Sequence, residues 1–142
     1  MRFMVLVKSN PESEAGAVPT TAQLEAMSRY NDELVNAGVL LDANGLASSA
    51  DGALVQFADG VPTVLDGPFA EAKELVAGYW LIEVKSREEA VEWVKRVPFD
   101  ADVDTEIEIR QVFEGEDFGA GFTEELRERH ERMGAEIAER HG

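Results

Sequence analysis

The chain has 142 residues, with 29 acidic and 13 basic side chains and a net charge of −16. This length suits one domain whose core is large enough to fold without disulfides. The charge disfavours nucleic acids and anionic membrane surfaces as partners, because like charges repel. The lack of cysteine excludes disulfides, thiol catalysis and thiolate metal sites. Residues 1–8 are apolar but too short for a secretory signal, and no membrane-spanning run follows, so we expect a cytoplasmic protein.

The first predicted strand is apolar on both faces. Side chains alternate along a strand, so Phe3, Val5 and Val7 point to one side, and Met4 and Leu6 to the other. We therefore expect this strand to be buried on both sides. Residues 9–19 follow as a predicted loop, because prolines and a glycine interrupt regular structure there.

The first predicted helix begins with a capping box, with Thr20 at the N-cap and Gln23 three residues later, and ends at Gly38. Its predicted apolar stripe consists of Leu24, Met27, Leu34 and Val35. Tyr30 and Asn31 interrupt that stripe. Two interpretations of Tyr30 stay open, a packed core ring and a pocket wall.

A second strand begins at Val39, and a hairpin is predicted from segments 53–57 and 61–65 around Asp59-Gly60. In the next strand, 78–84, alternation places Trp80 on one face and Tyr79 on the other. A second capping box, Ser86 with Glu89, opens a helix that ends at Pro98. The last strand, 105–113, alternates cleanly and should point Ile107, Ile109 and Phe113 inward.

The order of elements is two βαβ units with a hairpin inserted between them. This order predicts an α+β ferredoxin-like domain over residues 1–113. Both helices would cover one face of an antiparallel sheet. The first and third main strands leave apolar side chains on the opposite face, and exposing such a patch is costly. We therefore expect a homodimer in which a second copy covers that face.

Residues 114–142 are predicted to form an acidic linker followed by an amphipathic helix with a thin apolar stripe. That stripe is Phe122, Leu126, Met133 and Ile137. So few apolar residues cannot stabilise a free helix, so it should dock on its own domain or on a partner. His130 and His141 have no other ligands at metal-site spacing, and we interpret them as surface histidines without a metal.

The candidate site is the segment 66–74 (DGPFAEAKE), a turn that leads into the third main strand. In the functional interpretation, Asp66 or Glu71 is a general base for a small carbonyl or lactone-like substrate, with a pKa tuned by Lys73 and burial. Lys73 would bind an anionic group of that substrate. The remaining substrate-binding candidates are Tyr30, Trp80 and Phe69.

The structural interpretation of the same segment stays open beside it. Asp66 would then bond the backbone of the following turn, and Phe69 would fill the core. The charged residues Glu71, Lys73 and Glu74 would form a solvated turn. No cofactor is expected in either case, because the sequence has no phosphate-binding glycine-rich loop and no metal cluster.

Segment 66–74 and the strand after it resemble the DGPF-motif branch of the YCII-related family, over about residues 1–113. The resemblance implies a ferredoxin-like fold, paired into a dimeric α/β barrel. The family usually has Thr at the position of Ala72. Its better-studied members have a His–Asp pair, whereas the first histidine of this chain is His130.

Three functions remain open from the sequence. The protein is a cofactor-independent enzyme of isomerase or lyase type that acts on a substrate in a cavity of the dimer, or a non-catalytic sensor that binds a small metabolite in that cavity. Alternatively, it is an interaction module whose C-terminal helix docks on another protein. Fold alone does not choose among these.

Overall fold

The computed structural model describes residues 1–69 and 74–142. The chain divides into two compact units, Met1–Gln111 and Val112–Gly142. The helices and strands of the first unit are β1 (Arg2–Lys8), α1 (Pro11–Glu14), α2 (Thr21–Asn36), β2 (Leu40–Gly45), β3 (Ala53–Ala58), β4 (Val61–Asp66), β5 (Val76–Glu83), α3 (Arg87–Val94) and β6 (Ile107–Gln111).

Four strands form an antiparallel sheet in the order β2-β5-β1-β6. The central strand β1 pairs with β5 on one side and with β6 on the other, so Val5 lies opposite both Trp80 and Ile109. The predicted α+β ferredoxin-like fold is confirmed. The strands β3 and β4 form a separate two-stranded hairpin, with Asp59 and Gly60 at its turn, as predicted.

The core lies on one face of the four-stranded sheet, under α2 and α3. Its buried members are Phe3, Val5, Tyr30, Leu34, Val39, Trp80, Ile82, Val84 and Ala90. The odd-numbered residues of β1 and the even-numbered residues of β5 point to this side, which confirms the predicted alternation. Met4, Leu6, Tyr79 and Leu81 consequently lie on the other face, which we call the open face.

The helix α2 forms as predicted at both ends. The Thr20 side chain accepts a hydrogen bond from Gln23 N, the Gln23 side chain accepts one from Thr20 N, and Gly38 has a φ of 75°. Its buried face differs from the predicted stripe. Leu24 and Val35 are 53% and 58% exposed, because the face that meets the sheet carries residues 27, 30, 31 and 34.

The segment predicted as a loop after β1 contains a short helix. The Asn10 side chain accepts a hydrogen bond from Ser13 N at 2.8 Å and so caps α1. Pro11 occupies the first helical position, where its fixed φ fits and its missing N–H costs nothing. The Asn-Pro pair therefore starts a helix here.

Two further predictions need correction. At the start of α3, Ser86 accepts a hydrogen bond from Glu89 N, but the Glu89 carboxylate bonds Lys85 N instead of closing a box with Ser86. The last strand ends at Gln111, so Phe113 does not point into the sheet core. Its ring is 59% exposed and lies edge-on to Phe118, with ring centroids 5.0 Å apart.

The second unit contains a 3-10 turn, Gly115–Phe118, and the helix α4, Glu124–His141, capped by Thr123. The ring of Phe122 lies 5.0 Å from that of Phe118 and 6.1 Å from that of His130. Of the predicted stripe, Phe122 precedes α4 and is half-buried, whereas Leu126, Met133 and Ile137 are 43%, 48% and 63% exposed.

Candidate functional site

The start of segment 66–74 closes the base of the β3–β4 hairpin. Gly67 N donates a hydrogen bond to Gly52 O at 3.0 Å. A Cβ at position 67 would overlap the Ser49 carbonyl oxygen, so only glycine fits there. The half-buried Phe69 ring lies over both glycines, 3.2 Å from the position of a Cβ at Gly67 and 3.8 Å from one at Gly52.

Asp66 is exposed, at the end of β4 and opposite Ala53. The structure therefore does not place its carboxylate in an enclosed cavity. Glu71 and Lys73 lie outside the described residues. Their predicted roles as base and anion-binding group stay predictions.

The hairpin base is also bonded to α1. The Glu14 carboxylate accepts hydrogen bonds from the hydroxyl and the backbone N–H of Ser49, the latter at 2.9 Å. Ser48 Oγ donates to the Glu14 carbonyl oxygen at 2.7 Å. These bonds, above all that from the Ser49 hydroxyl, lower the pKa of Glu14 below its usual 4.5, because they stabilise the charged form.

Tyr30 and Trp80 lie in the core, each 6% exposed. Their rings meet edge to face, with centroids 5.7 Å apart. Tyr30 OH donates to the Trp93 carbonyl oxygen and Trp80 Nε1 donates to Asn31 Oδ1, each at 2.8 Å. Both polar atoms are thus bonded within the protein, and burial raises the pKa of Tyr30 to about 12. The core interpretation of Tyr30 fits this geometry, and a pocket wall does not.

The open face carries a polar cluster that the sequence reasoning missed, formed by Asp42, Asn44 and Tyr79. Tyr79 OH donates to Asp42 Oδ2 at 2.7 Å and accepts from Asn44 Nδ2 at 3.0 Å. Asp42 Oδ1 also accepts from Ala43 N at 2.9 Å, which fixes the carboxylate. Asn44 pairs with Tyr79 and Asp42 with Leu81 across the strands, so the cluster adjoins the apolar Leu81.

A signal for this cluster was present in the sequence. Asp42 and Asn44 stand two residues apart in a strand, so they share a face, and alternation assigned Tyr79 to the face opposite Trp80. What the sequence lacked was the strand register, which pairs position 44 with position 79.

A polar cleft of about 410 Å³ lies at the sheet end where β1 finishes and β5 and β6 begin. It is lined by Lys8, Ser9, Asn10, Glu74, Asp104, Thr105 and Glu106. The cleft reaches Glu74, at the end of segment 66–74, and its lining side chains carry charged, amide and hydroxyl groups.

Lys8 forms an ion pair with Glu108, a residue of the open face, and its Nζ lies 2.9 Å from Glu108 Oε1. The hydrogen bonds from Lys8 and from Arg110, whose Nη1 lies 3.1 Å from Glu108 Oε2, lower the pKa of Glu108. Lys8 is thus paired with Glu108, and the other charged side chains that line the cleft, Glu74, Asp104 and Glu106, are acidic.

Among the residues that the structure describes, no three His, Cys, Asp or Glu side chains are placed to hold a metal ion. None of the helices in the described ranges is long and apolar enough to cross a membrane.

Comparisons with known proteins match this architecture. The family model of the YCII-related domain matches residues 1–116. The chain is 33% identical over 69 residues to an uncharacterised protein, R00369, of Rhizobium meliloti strain 1021. That alignment covers 49% of this chain and 56% of the relative, so the match spans little more than half of the relative's length.

A solved structure with a similar arrangement is 5-chloro-2-hydroxyhydroquinone dehydrochlorinase (TftG) from Burkholderia phenoliruptrix AC1100, in complex with 2,5-dihydroxybenzoquinone. It is 18% identical, with a TM-score of 0.45, and the match covers 82% of this chain and 98% of that one. A likeness at this level carries no argument about the chemistry of this chain.

Proposed function

The chain belongs to the YCII-related domain family, and we propose that it forms a homodimer whose open faces enclose a cavity for a small organic ligand. The single observation that carries this proposal is the bonded cluster of Asp42, Asn44 and Tyr79 beside apolar side chains of the open face. Ligand sites commonly combine an apolar wall with a few fixed polar groups.

The distribution of apolar side chains supports the proposed dimer. Both helices cover the same side of the sheet, while Met4, Leu6 and Leu81 lie on the other. A second sheet packed against this face would bury those side chains. Each Å² of apolar surface removed from water would stabilise the dimer by about 25 cal/mol. The polar cluster would then be enclosed at the interface, where its hydrogen bonds are stronger than in water.

The cluster suits a ligand with a carbonyl or hydroxyl group on an apolar body. The Tyr79 oxygen accepts from Asn44 and donates to Asp42, so a lone pair remains for a ligand hydroxyl. The fixed Asp42 carboxylate can accept a proton from one atom of the ligand and return it to another, while the Tyr79 oxygen accepts a hydrogen bond from the ligand hydroxyl. This is cofactor-independent acid–base chemistry of isomerase or lyase type. The predicted base Glu71 and anion-binding Lys73 are proposed to complete the site.

A thermal-shift screen against small carboxylates, lactones and aromatic acids tests this function. A ligand at 100 times its dissociation constant should stabilise the protein by about 2.7 kcal/mol, a shift of several degrees. Tyr79→Phe and Asp42→Asn should each abolish the shift, whereas Asp32→Asn, an exposed acid on α2, should retain it. Retention of the full shift in Tyr79→Phe and Asp42→Asn would remove the cluster from the site.

A second candidate function is protein interaction through α4. The specific observation in its favour is the exposure of Leu126, Met133 and Ile137. Their spacing places them on one side of the helix, as in helices that bind an apolar groove. Ile137→Glu should abolish partner binding without changing the thermal shift produced by a ligand. Loss of that thermal shift in this variant would contradict separate roles for α4 and the open face.

A further inference from the structure

The β3–β4 hairpin leaves large apolar side chains in solvent on both of its faces. All residues from 53 to 66 are exposed. The large apolar side chains among them, from 37% to 77% exposed, are Leu54, Val55, Phe57, Val61, Val64 and Leu65. A two-stranded hairpin is marginally stable by itself in water, and soluble monomers rarely expose apolar patches above a few hundred Å². The hairpin therefore has the properties of a covered surface.

One face of the hairpin is apolar throughout its centre. Val55 lies opposite Val64 and Phe57 opposite Pro62, so these four side chains point to the same side, which we call the arm face. Phe57 is 77% exposed, Val64 65% and Val55 53%. Aromatic and aliphatic side chains of this kind form the centres of protein interfaces.

The arm face is held in place by its base. The bonds of Glu14 to Ser49 and of Gly67 to Gly52 tie the first and last residues of the hairpin to the domain. A surface fixed in this way loses little conformational freedom when it docks, so more of the contact energy remains as affinity.

The distribution of charge indicates that the arm face packs on a second copy of this chain. In the sequence 30% of residues are charged, yet Asp59 at the turn is the one charged residue from position 52 to position 65. Two copies that each carry a charge of −16 repel unless they meet on uncharged surface. A basic partner would require acidic groups, and the centre of the arm face, from Val55 to Phe57 and from Pro62 to Val64, has none. Charge depletion is also the compositional mark of interface cores.

The exposed apolar surface of the hairpin is consistent with an interface between two copies of this chain. The hairpin presents six large apolar side chains that are between 37% and 77% exposed. A stable interface buries about 800 Å² on each partner. The apolar side chains of the open face, Met4, Leu6 and Leu81, are half-buried, so the exposed hairpin would have to supply much of such an interface.

We propose that the hairpin of each copy is an arm that packs its arm face on the second copy and closes the end of the partner's ligand cavity. The hairpin leaves the sheet after Gly45 and returns before Val76, at the end next to the Asn44–Tyr79 pair. The site of one copy is then incomplete without the arm of the other. This inference rests on the dimer of the proposed function.

Sedimentation equilibrium of wild-type protein and variants tests the arm. Val64→Asp and Phe57→Asp place a charge on the arm face, and the dissociation constant of the dimer should rise at least about tenfold. Val18→Asp is the matched control, because Val18 is 84% exposed outside the hairpin, and its dimer should be as tight as wild type. If Val64→Asp and Phe57→Asp dimerise as tightly as wild type, the proposal that the arm face packs on the second copy is wrong.

Cross-linking in the otherwise unchanged protein provides a second measurement. A photoreactive phenylalanine analogue at position 57 should yield a covalent species of twice the 15.6 kDa chain mass. Cross-links confined to single chains would overturn the proposal.

The failure of the arm and the failure of the ligand site give different results. If the arm variants dimerise normally while Tyr79→Phe abolishes a ligand response, the arm is wrong and the ligand site stands. If the arm variants dissociate and no compound stabilises the wild-type protein, the arm stands and the ligand site is wrong. A wild-type monomer at about 100 μM would overturn the dimer on which both depend.

Discussion

Tyr30 on α2 meets Trp80 on β5 edge to face, with ring centroids 5.7 Å apart and an interplanar angle of 81°. The pair ties the helix layer to the sheet, and the hydroxyl of Tyr30 continues to the last turn of α3 through the Trp93 carbonyl. Two helices and a central strand therefore meet at one side chain. This relationship makes Tyr30 a structural residue.

Removing the Tyr30 hydroxyl should destabilise the protein. Tyr30→Phe keeps the ring contact but removes the hydrogen bond to the Trp93 carbonyl, which still accepts from Arg96 N, so the loss should be about 0.5–1.5 kcal/mol. Glu92→Gln is the control, because its bond to Lys95 joins two exposed side chains at the end of α3 and its loss should cost less than about 0.5 kcal/mol. Urea denaturation of both variants measures the difference. Equal losses would contradict the assignment of Tyr30 to the core.

The buried face of α2 can be tested at two adjacent positions. Leu34 is 1% exposed and Val35 is 58% exposed. Leu34→Ala should lower the free energy of unfolding by about 2–5 kcal/mol, because it removes buried methyl groups and leaves a cavity. Val35→Ala should change it by less than about 0.5 kcal/mol. Chemical denaturation decides, and comparable losses would favour the stripe predicted from the sequence.

Gly67 should not tolerate any side chain. A Cβ there would overlap the Ser49 carbonyl, so Gly67→Ala forces the hairpin base apart and should cost about 2 kcal/mol or more. Gly45→Ala is the control, since no other atom lies within 4 Å of its Cβ position. Thermal unfolding should show a lower Tm for the first variant, and an unchanged Tm would contradict the close approach.

Acid should weaken the anchor of the hairpin. Hydrogen bonds from Ser49 lower the pKa of folded Glu14 below 4.5, so its contribution to stability is present above pH 4.5 and is lost as pH falls through the lowered pKa. Glu14→Gln should therefore show a shallower fall of Tm with pH below 4.5 than wild type. Glu12→Gln in the same helix, an exposed carboxylate, should behave as wild type. Identical acid profiles for Glu14→Gln and wild type would remove Glu14 from the anchor.

The sequence by itself determined the elements and the fold class. Local patterns decide these features: capping residues start α2, Gly38 ends it, period-two alternation divides β1 and β5 into two faces, and Asp59-Gly60 turns the hairpin. It missed α1, because Asn-Pro serves equally as a break and as a helix start.

Only the tertiary structure decided which side chains meet. Tyr30 interrupts an apolar stripe in the sequence, yet Trp93 and Trp80 give it a partner in the core. Asp42 and Tyr79 are 37 residues apart, and strand register brings them to 2.7 Å. Apolar patterning sets which face of an element is buried, whereas a polar site depends on distances between elements remote in sequence. Those distances follow from packing and register, which no local pattern encodes.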